Sequence, residues 1–128
     1  MSSIAVLNGE TWLICGGRDF TDQQMFDGAM GQLIELRGCP SRIVEGGSKG
    51  ADKMGFYWAT RMAIPVTEIY ADWETHGKAA GPIRNQKMLD EQKPTVLVAF
   101  PGGSGTADMV ARSRKAGIDV IEIKRNCR

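Results

Sequence analysis

The chain has 128 residues, of which 42% are hydrophobic and 24% are charged, and its formal net charge at pH 7 is +1. This composition is typical of one soluble globular domain, and the near-zero charge argues against tight, nonspecific nucleic-acid binding. No apolar run approaches the ~20 residues that a membrane helix needs. The N-terminus also lacks the basic and apolar regions of a secretory signal.

Cysteine and histidine content argues against a disulfide framework or a metal site. Cys15, Cys39 and Cys127 are odd in number and widely spaced, which fits neither a disulfide pattern nor a zinc-binding pattern. His76 is the single histidine, which excludes a histidine-rich metal site. We therefore expect reduced thiols, a cytoplasmic location, and neither a metal nor a cofactor.

Strand-like and helix-like segments alternate along the chain. The predicted strands are 11–15, 42–45, 65–70, 96–100 and 118–123. The predicted helices are one that starts at Thr21 and ends at Gly38, one after Ser48, and those at 82–92 and 107–116, with a polar, irregular stretch at 71–81. This order predicts an α/β fold: a single Rossmann-like domain, with a doubly wound parallel sheet of about five strands and helices on both faces.

The predicted organisation is one domain with short flanks. Residues 1–10 form an N-terminal arm or a short strand, since Asn8-Gly9 is a hairpin signal. The domain spans residues 11–123, and a basic tail follows at 124–128.

Capping signals locate several helix starts. Thr21 is predicted to cap the first helix in a capping box with Gln24, with Phe20 and Met25 as its hydrophobic staple. Ser48 is predicted to cap the second helix, and Pro82 suits the first position of the third.

Three of the strands end in a pair of glycines: Gly16-Gly17, Gly46-Gly47 and Gly102-Gly103. The carboxyl ends of parallel strands share one edge of a sheet, where ligands of such folds bind. A glycine corner followed by a helix suits phosphate, because the backbone can approach the ligand and the helix offers free N–H groups. Three corners on one edge therefore predict a shared site.

Several standard motifs are absent from these corners. G-x-S-x-G would need glycine at Thr106, so a hydrolase nucleophile elbow is not expected. G-x-G-x-x-G would need glycine at Asp108, and the Walker A pattern is missing.

Each candidate group also has a plain structural explanation. Pro101–Thr106 suits a tight turn capped by Ser104 or Thr106 as well as a phosphate cradle. In Gly46–Gly50, with Lys49 and Asp52, the carboxylate can complement a helix dipole or face a ligand.

Charged and aromatic candidates leave the same alternatives open. Arg18 and Asp19 suit a surface ion pair or a base or ribose contact. Arg84 suits a solvated helix face or a bidentate phosphate contact. Trp73 can stack on a base or cap the core, and a lone histidine such as His76 is more often structural than catalytic.

The ordered set of motifs resembles the YspA/YpsA-related branch of the SLOG superfamily over roughly residues 11–123. The segments that carry the resemblance are Gly16-Gly-Arg-Asp-Phe20, Gly46-Gly-Ser-Lys-Gly-Ala-Asp52, Trp73, His76-Gly-Lys-Ala-Ala-Gly-Pro-Ile-Arg-Asn85, and Phe100-Pro-Gly-Gly-Ser-Gly-Thr106. The superfamily includes the Lonely Guy phosphoribohydrolases, which remove the base from nucleoside 5′-monophosphates, and the DNA-processing protein DprA.

The chain departs from the Lonely Guy pattern at two positions. Arg84-Asn-Gln-Lys-Met88 keeps that pattern's arginine and methionine but has Asn85 in place of its lysine. Pro101–Thr106 keeps the phosphate-binding half, while the catalytic glutamate falls on Met109. Methionine can neither stabilise a cationic ribose nor activate water, so Asp19, Glu45 or Asp52 would have to supply a carboxylate.

The resemblance and the residues together predict a domain that binds a nucleotide or a nucleotide-derived ligand. The candidate ligand-binding residues are Gly17, Arg18, Asp19, Gly46, Gly47, Ser48, Lys49, Asp52, Trp73, His76, Arg84, Asn85, Pro101, Gly102, Gly103, Ser104, Gly105 and Thr106. The candidate catalytic residues are Arg84, Asp19 and Asp52. The alternative function is a nucleoside-phosphate N-glycosidase or ribosyl-transfer enzyme; single-stranded DNA handling is disfavoured by the charge. A homo-oligomer is expected, with no membrane or nucleic-acid partner.

Overall fold

Five parallel strands form one sheet in the order β3-β2-β1-β4-β5. The computed structural model describes residues 7–125. The strands are β1 (Thr11–Cys15), β2 (Arg42–Glu45), β3 (Val66–Glu68), β4 (Val96–Ala99) and β5 (Asp119–Glu122). The helices are α1 (Gln23–Arg37), α2 (Ala51–Arg61), α3 (Trp73–His76), α4 (Ala80–Gln92) and α5 (Ser104–Lys115), with a 3-10 turn at Gly77–Ala79. The predicted Rossmann-like, doubly wound α/β fold is confirmed.

Both faces of the sheet are covered by helices, which explains the uninterrupted apolar character of β1. Trp12 and Ile14 point to the face that packs against α1 and α2. Leu13 and Cys15 point to the opposite face, where they pack with residues of α4 and α5. Alternate residues of a strand face opposite sides of the sheet, so every buried position of β1 is apolar.

The chain reverses its direction of winding between β1 and β4. β1 pairs with β2 on one side and with β4 on the other, all in parallel. In an open parallel sheet, this switch point leaves a crevice beyond the carboxyl ends of the two central strands. The glycine corners after β1 and β4 flank that crevice.

The start of α1 lies one residue later than predicted. Asp22 is the N-cap, and its carboxylate accepts a hydrogen bond of 3.0 Å from the Met25 N–H. The prediction of Thr21 as the cap, with Gln24 in a capping box, is therefore wrong. Threonine and aspartate can both cap a helix, and the path of the backbone places the aspartate at the N-cap.

Three further helix starts also differ from the prediction. The helix α5 begins at Ser104 rather than at 107, with Gly103 rather than Ser104 or Thr106 as its N-cap. Gly50 rather than Ser48 is the N-cap of α2, and no side chain of residues 7–125 caps that helix. Gly50 has a φ of +83°, and a Cβ there would overlap the carbonyl oxygen of Gly17, so only glycine fits. The predicted irregular stretch contains α3 and the 3-10 turn, and α4 begins at Ala80. Pro82 lies in the first turn of α4, where its missing N–H costs no helical hydrogen bond.

The N-terminal segment packs beside the end of α1. Leu7 forms an isolated parallel bridge with Cys39, and the Asn8 N–H donates to the Cys39 carbonyl at 2.9 Å. The rest of the predicted arm, residues 1–6, and residues 126–128 of the predicted tail lie outside the described residues, so these boundaries stay predictions. Across residues 7–125, every helix is too short or too polar to cross a membrane.

Candidate functional site

The three glycine corners are joined by backbone hydrogen bonds. The Gly17 N–H donates to the Pro101 carbonyl at 2.9 Å, and the Ala51 N–H donates to the Gly17 carbonyl at 3.2 Å. The corner after β1 is therefore the central piece, held between the other two. This arrangement brings residues that are far apart in sequence to one edge of the sheet.

A cavity of about 610 Å³ opens at the switch point between these corners. We call it the switch-point cavity. Twelve of the candidate residues line it: Gly17, Arg18, Gly46, Ser48, Asp52, Trp73, Arg84, Asn85, Gly103, Ser104, Gly105 and Thr106. Its size is in the range of small-molecule sites, which span roughly 300–1,000 Å³.

The N-terminus of α5 faces this cavity, and no described side chain caps it. Gly103 is the N-cap, and the first helical hydrogen bond runs from the Ala107 N–H to the Gly103 carbonyl at 3.0 Å. The N–H groups of Ser104, Gly105 and Thr106 precede that bond, so they have no acceptor within the helix. Unsatisfied N–H groups and the positive end of the helix dipole together favour an anion at this point.

Arg84 extends from α4 towards the same cavity and is held by the protein on one side. Its Nε donates to the Asn85 Oδ1 at 3.1 Å, and its Nη1 donates to the Gly46 carbonyl at 2.6 Å. Among the hydrogen bonds of residues 7–125, none uses its Nη2. A fixed guanidinium with one free edge is suited to binding a phosphate or carboxylate oxygen.

Gly46 allows Arg84 and Asp52 to approach the same point. A Cβ at Gly46 would lie 2.5 Å from the Arg84 Nη1 and 2.9 Å from the Asp52 Oδ2. Any larger residue would displace one of these side chains. Glycine is therefore required here so that Arg84 and Asp52 can approach the backbone, and not because the chain turns at this position.

Asp52 is the buried carboxylate of the cavity, with 6% of its surface exposed. Its Oδ2 accepts a hydrogen bond of 3.2 Å from the Ser48 N–H. Burial raises the pKa of Asp52 to about 6, against the opposing effects of the Ser48 hydrogen bond and the Arg84 charge. A carboxyl group with a pKa near neutrality can exchange a proton at physiological pH.

Trp73 and two cations border the opening of the cavity. Trp73 is 47% exposed, and the Arg18 guanidinium lies over its ring, 5.4 Å from the centroid. Lys78 lines the same cavity. Arg18, Lys78 and Arg84 therefore make this opening favourable for an anionic ligand, and the Trp73 ring offers a flat surface for a base.

The floor of the cavity is apolar. Ile14, Cys15, Met88 and Met109 line it, and all four are buried. Burial raises the pKa of the Cys15 thiol well above its ordinary value, with the charge of Asp52 adding to the effect. The thiol is therefore protonated, as expected of a buried apolar residue.

Six candidate residues lie outside this cavity. Asp19 and Lys49 are exposed on the corners, and His76 is exposed at the end of α3. A Cβ at Gly47 would meet the Tyr70 ring, so this glycine backs onto a side chain. Pro101 and Gly102 line a separate cavity on the other side of the loop. Of the candidate catalytic residues, Arg84 and Asp52 line the switch-point cavity and Asp19 does not.

Glu45, which was considered as a source of the missing carboxylate, is fully buried beside Glu68. Burial and the hydrogen bond to Glu68 raise the pKa of Glu45 to about 9. Burial also acts to raise the pKa of Glu68, but its hydrogen bonds to Glu45, Lys53 and Tyr70 outweigh that effect and lower it. Glu45 therefore carries the proton of this pair. It supports the corner after β2, where its Oε1 accepts a hydrogen bond from the Gly47 N–H at 2.6 Å.

Sequence reasoning missed the polar network that connects Arg84 to α5. The Asn85 Nδ2 donates to the Asp108 Oδ2 at 2.9 Å, and the Arg112 Nε donates to the same oxygen at 2.8 Å. Arg112 also donates to the Gln86 Oε1 at 3.0 Å. The spacing of Asp108 and Arg112, four residues apart on one helix, was the available signal.

Nine lining residues were not among the candidates: Ile14, Cys15, Gly16, Lys78, Gly81, Pro82, Met88, Asp108 and Met109. Most of them are apolar or small, and their types carry no chemical signal in a sequence. No cluster of three or more metal-binding side chains occurs in the part of the chain from Leu7 to Arg125.

Comparison with known proteins identifies a family, a phage relative and a structural neighbour. Residues 13–76 match the profile of the YspA, cpYpsA-related SLOG family, YAcAr. The Gene 61 protein of Mycobacterium phage D29 is 37% identical over 116 residues, which cover 85% of this chain and 92% of the phage protein. The Moco carrier protein of Chlamydomonas reinhardtii has a similar fold, with a TM-score of 0.57, 19% identity, and coverage of 90% of this chain and 76% of that one. The profile match and the phage relative together show that the chain belongs to the YspA, cpYpsA-related SLOG family.

Proposed function

We propose that the switch-point cavity binds a nucleotide or a nucleotide-derived small molecule. The observation that carries the proposal is that the uncapped N-terminus of α5 and the guanidinium of Arg84 line the same cavity, and that the Arg84 Nη2 has no hydrogen-bond partner among residues 7–125. An anion between them receives backbone N–H groups from one side and a guanidinium from the other, which is a suitable environment for phosphate.

The rest of the cavity supports a nucleotide rather than an inorganic anion. Trp73 offers an exposed ring at the opening, and Asp52 can accept hydrogen bonds from ribose hydroxyls or base N–H groups. The structural neighbour is, by its name, a carrier of Moco, which is in keeping with a small-molecule site in this fold.

Calorimetry with mononucleotides, ADP-ribose and cyclic nucleotides tests the proposal. We expect Arg84→Ala to weaken the best-binding ligand by roughly ten- to hundredfold, because a hydrogen bond to a charged group contributes about 1.5–3 kcal/mol. Arg61→Ala is the matched control, since Arg61 lies on α2 in a 3.6 Å pair with Asp27, away from the cavity. The proposal fails if no ligand binds the wild-type protein, or if both variants bind alike.

A second candidate function is cleavage of the N-glycosidic bond of a nucleoside phosphate. The specific observation in its favour is Asp52, a carboxyl group in the cavity with a pKa raised to about 6. An ionised Asp52 would stabilise positive charge on the ribose during cleavage, the role that Met109 cannot perform. Release of free base should increase as pH rises through about 6 and should be lost in Asp52→Asn; nucleotide binding without base release excludes this function.

A homo-oligomer and a cytoplasmic location are also part of the proposal. Leu36 is 82% exposed and Tyr57 is 57% exposed, so α1 and α2 both present apolar side chains to solvent. Cys15 and Cys39 are free and buried, which suits a reducing compartment. Sedimentation of the full chain would measure its oligomeric state.

A further inference from the structure

A second cavity lies on the opposite side of the Pro101–Thr106 loop. It has a volume of about 540 Å³ and is enclosed by the end of β4, the outer face of α5 and the end of β5. We call it the β5-side cavity. Gly103 and Thr106 line both cavities, while Pro101 and Gly102 face only the β5 side. The loop is therefore a wall with one cavity on each of its faces.

The β5-side cavity has an apolar interior and a cationic rim. Its apolar lining comes from Ala99, Phe100, Ala107, Val110, Ala111 and Ile123. The rim carries Arg114, Lys124 and Arg125. Arg125 pairs with the Asp22 carboxylate at 3.3 Å, so Lys124 supplies the net positive charge of the rim. The Glu122 carboxylate on this rim is neutralised by Arg114 at 2.6 Å. Such a surface suits an uncharged ring that is attached to an anionic group.

The two cavities are complementary in chemistry and meet at the proposed phosphate position. The switch-point cavity offers Trp73 to one ring, and the β5-side cavity offers apolar surface to another. The cations Arg84 and Lys124 line different cavities, so negative charge is favoured along the loop between them. A ligand with a single ring would occupy only one of the two cavities.

From this geometry we infer that the ligand has two ring-bearing halves joined by a pyrophosphate, and that the β5-side cavity holds the second half. The inference rests on the proposed nucleotide function, and it narrows the ligand class from mononucleotides to dinucleotide-like molecules. Ala111 is the position that allows a direct test, because it is exposed on α5 and lines only the β5-side cavity.

The test compares a nucleoside monophosphate, the corresponding diphosphate and the dinucleoside diphosphate, in adenine and guanine series, by calorimetry on the full chain. The diphosphate controls for pyrophosphate charge. We expect the dinucleoside diphosphate to bind at least about tenfold more tightly than the nucleoside diphosphate in the wild type. Ala111→Trp should abolish that difference and leave nucleoside diphosphate binding unchanged. Ala116→Trp, at the C-cap of the same helix and outside the cavity, should preserve it.

The other possible results distinguish failure of the dinucleotide inference from failure of the nucleotide-binding proposal. Equal binding of the two diphosphates by the wild type, or a difference that survives Ala111→Trp, overturns the second-half inference and leaves the nucleotide function standing. Absence of binding in every series overturns both. If a second copy of the chain occupies the cavity, sedimentation will detect a dimer that Ala111→Trp dissociates, and the ring assignment is then wrong.

Discussion

The corners after β2 and β4 have similar sequences and opposite roles. Both contain Gly-Gly-Ser and both lead into a helix, α2 or α5. At the corner after β2, the protein supplies its own acceptors: the Asp52 carboxylate binds the Ser48 N–H, and the Gly17 carbonyl binds the Ala51 N–H. At the corner after β4, no side chain between Leu7 and Arg125 caps α5.

This difference distinguishes the corner after β2 from the corner that is proposed to bind the anion. At α2 the first N–H group of the helix, that of Ala51, is already bonded to the Gly17 carbonyl, and the main contribution of this corner to the cavity is the buried Asp52 carboxylate. The helix end at α5 still needs an acceptor, so its contribution is a set of free N–H groups. A glycine-rich corner therefore indicates an anion site only where the protein leaves the helix N-terminus unsatisfied.

The largest effect is expected from Gly50→Ala, which breaks the corner after β2. The positive φ of +83° and the overlap with Gly17 should together destabilise the fold by about 2–5 kcal/mol. Gly103→Ala, at the corner after β4, should cost less than about 1 kcal/mol, because its Cβ would meet no atom within 4 Å. Urea unfolding measures both, and similar losses would contradict the contrast between the corners.

The next largest effect is the contribution of Asp52 to the pH dependence of the free energy of unfolding. Its pKa rises from 3.8 to about 6 on folding, so between these values the folded state holds a proton that the unfolded state has released. Stability should therefore fall as pH rises through this window, by about 3 kcal/mol for this group alone. The Asp52→Asn variant has no carboxyl group at this position, so it should lack this part of the pH dependence.

The quantity to measure is the unfolding free energy of the wild type minus that of Asp52→Asn at each pH. This difference should fall by about 3 kcal/mol between pH 3 and pH 7. Glu45 is protonated over much of the same range, and the Asp52 charge is the smallest of the effects that raise the Glu45 pKa, so most of the Glu45 contribution cancels in the difference. A difference that is constant from pH 3 to pH 8 would show that folding does not raise the pKa of Asp52.

A smaller effect is expected when a cap is added to α5. Gly103→Asp places a carboxylate where the proposed phosphate binds, so ligand affinity should fall by at least about tenfold while stability changes by less than about 1 kcal/mol. Gly103→Asn is the uncharged control and should reduce affinity less, because it adds no negative charge. Undiminished binding by the aspartate variant would place the phosphate elsewhere.

The smallest effect is expected from Asp108→Ala, which removes the closer of the two acceptors of the Asn85 amide and leaves the Gly105 carbonyl at 3.4 Å. Asn85 in turn accepts from the Nε of Arg84, so the guanidinium should be held less firmly and phosphate affinity should fall about threefold. Asp108→Asn keeps an acceptor oxygen and should restore affinity. Calorimetry with a nucleotide and its nucleoside separates this effect from a general loss of structure, since only the nucleotide should respond.

The sequence predicted the alternation of strands and helices because buried parallel strands are apolar throughout and glycines mark their ends. The same reasoning predicted that all three corners share one edge. It predicted Thr21 rather than Asp22 as the cap of α1, because the spacing to Gln24 suggested a capping box. The backbone path instead places Asp22, the stronger capping residue type, at the N-cap. It also left α3 unpredicted, since a helix of 4 residues shows no periodicity.

The candidate site was predictable where residue type carries chemistry and unpredictable where packing decides. Arg84, Asp52 and the loop at 103–106 are of residue types that bind anions or ribose, and each lies next to a predicted glycine corner or in the motif that resembles the family. Lys49 and His76 have equally suggestive types, yet both are exposed outside the cavity. Met88 and Met109 form its floor. The resemblance to the Lonely Guy pattern marks both positions, but their residue type does not predict a place in the cavity, because buried methionines fill core space in every fold.

The anion site proposed at the uncapped end of α5 also provides a means of identifying its ligand. A molecule that binds only the folded chain shifts the unfolding equilibrium, and at a concentration of 100 times its Kd it adds about 2.7 kcal/mol of stability. For a domain of this length, that corresponds to a rise in Tm of roughly 10 °C. A melting screen of a metabolite extract, fraction by fraction, would therefore detect the natural ligand before its structure is known.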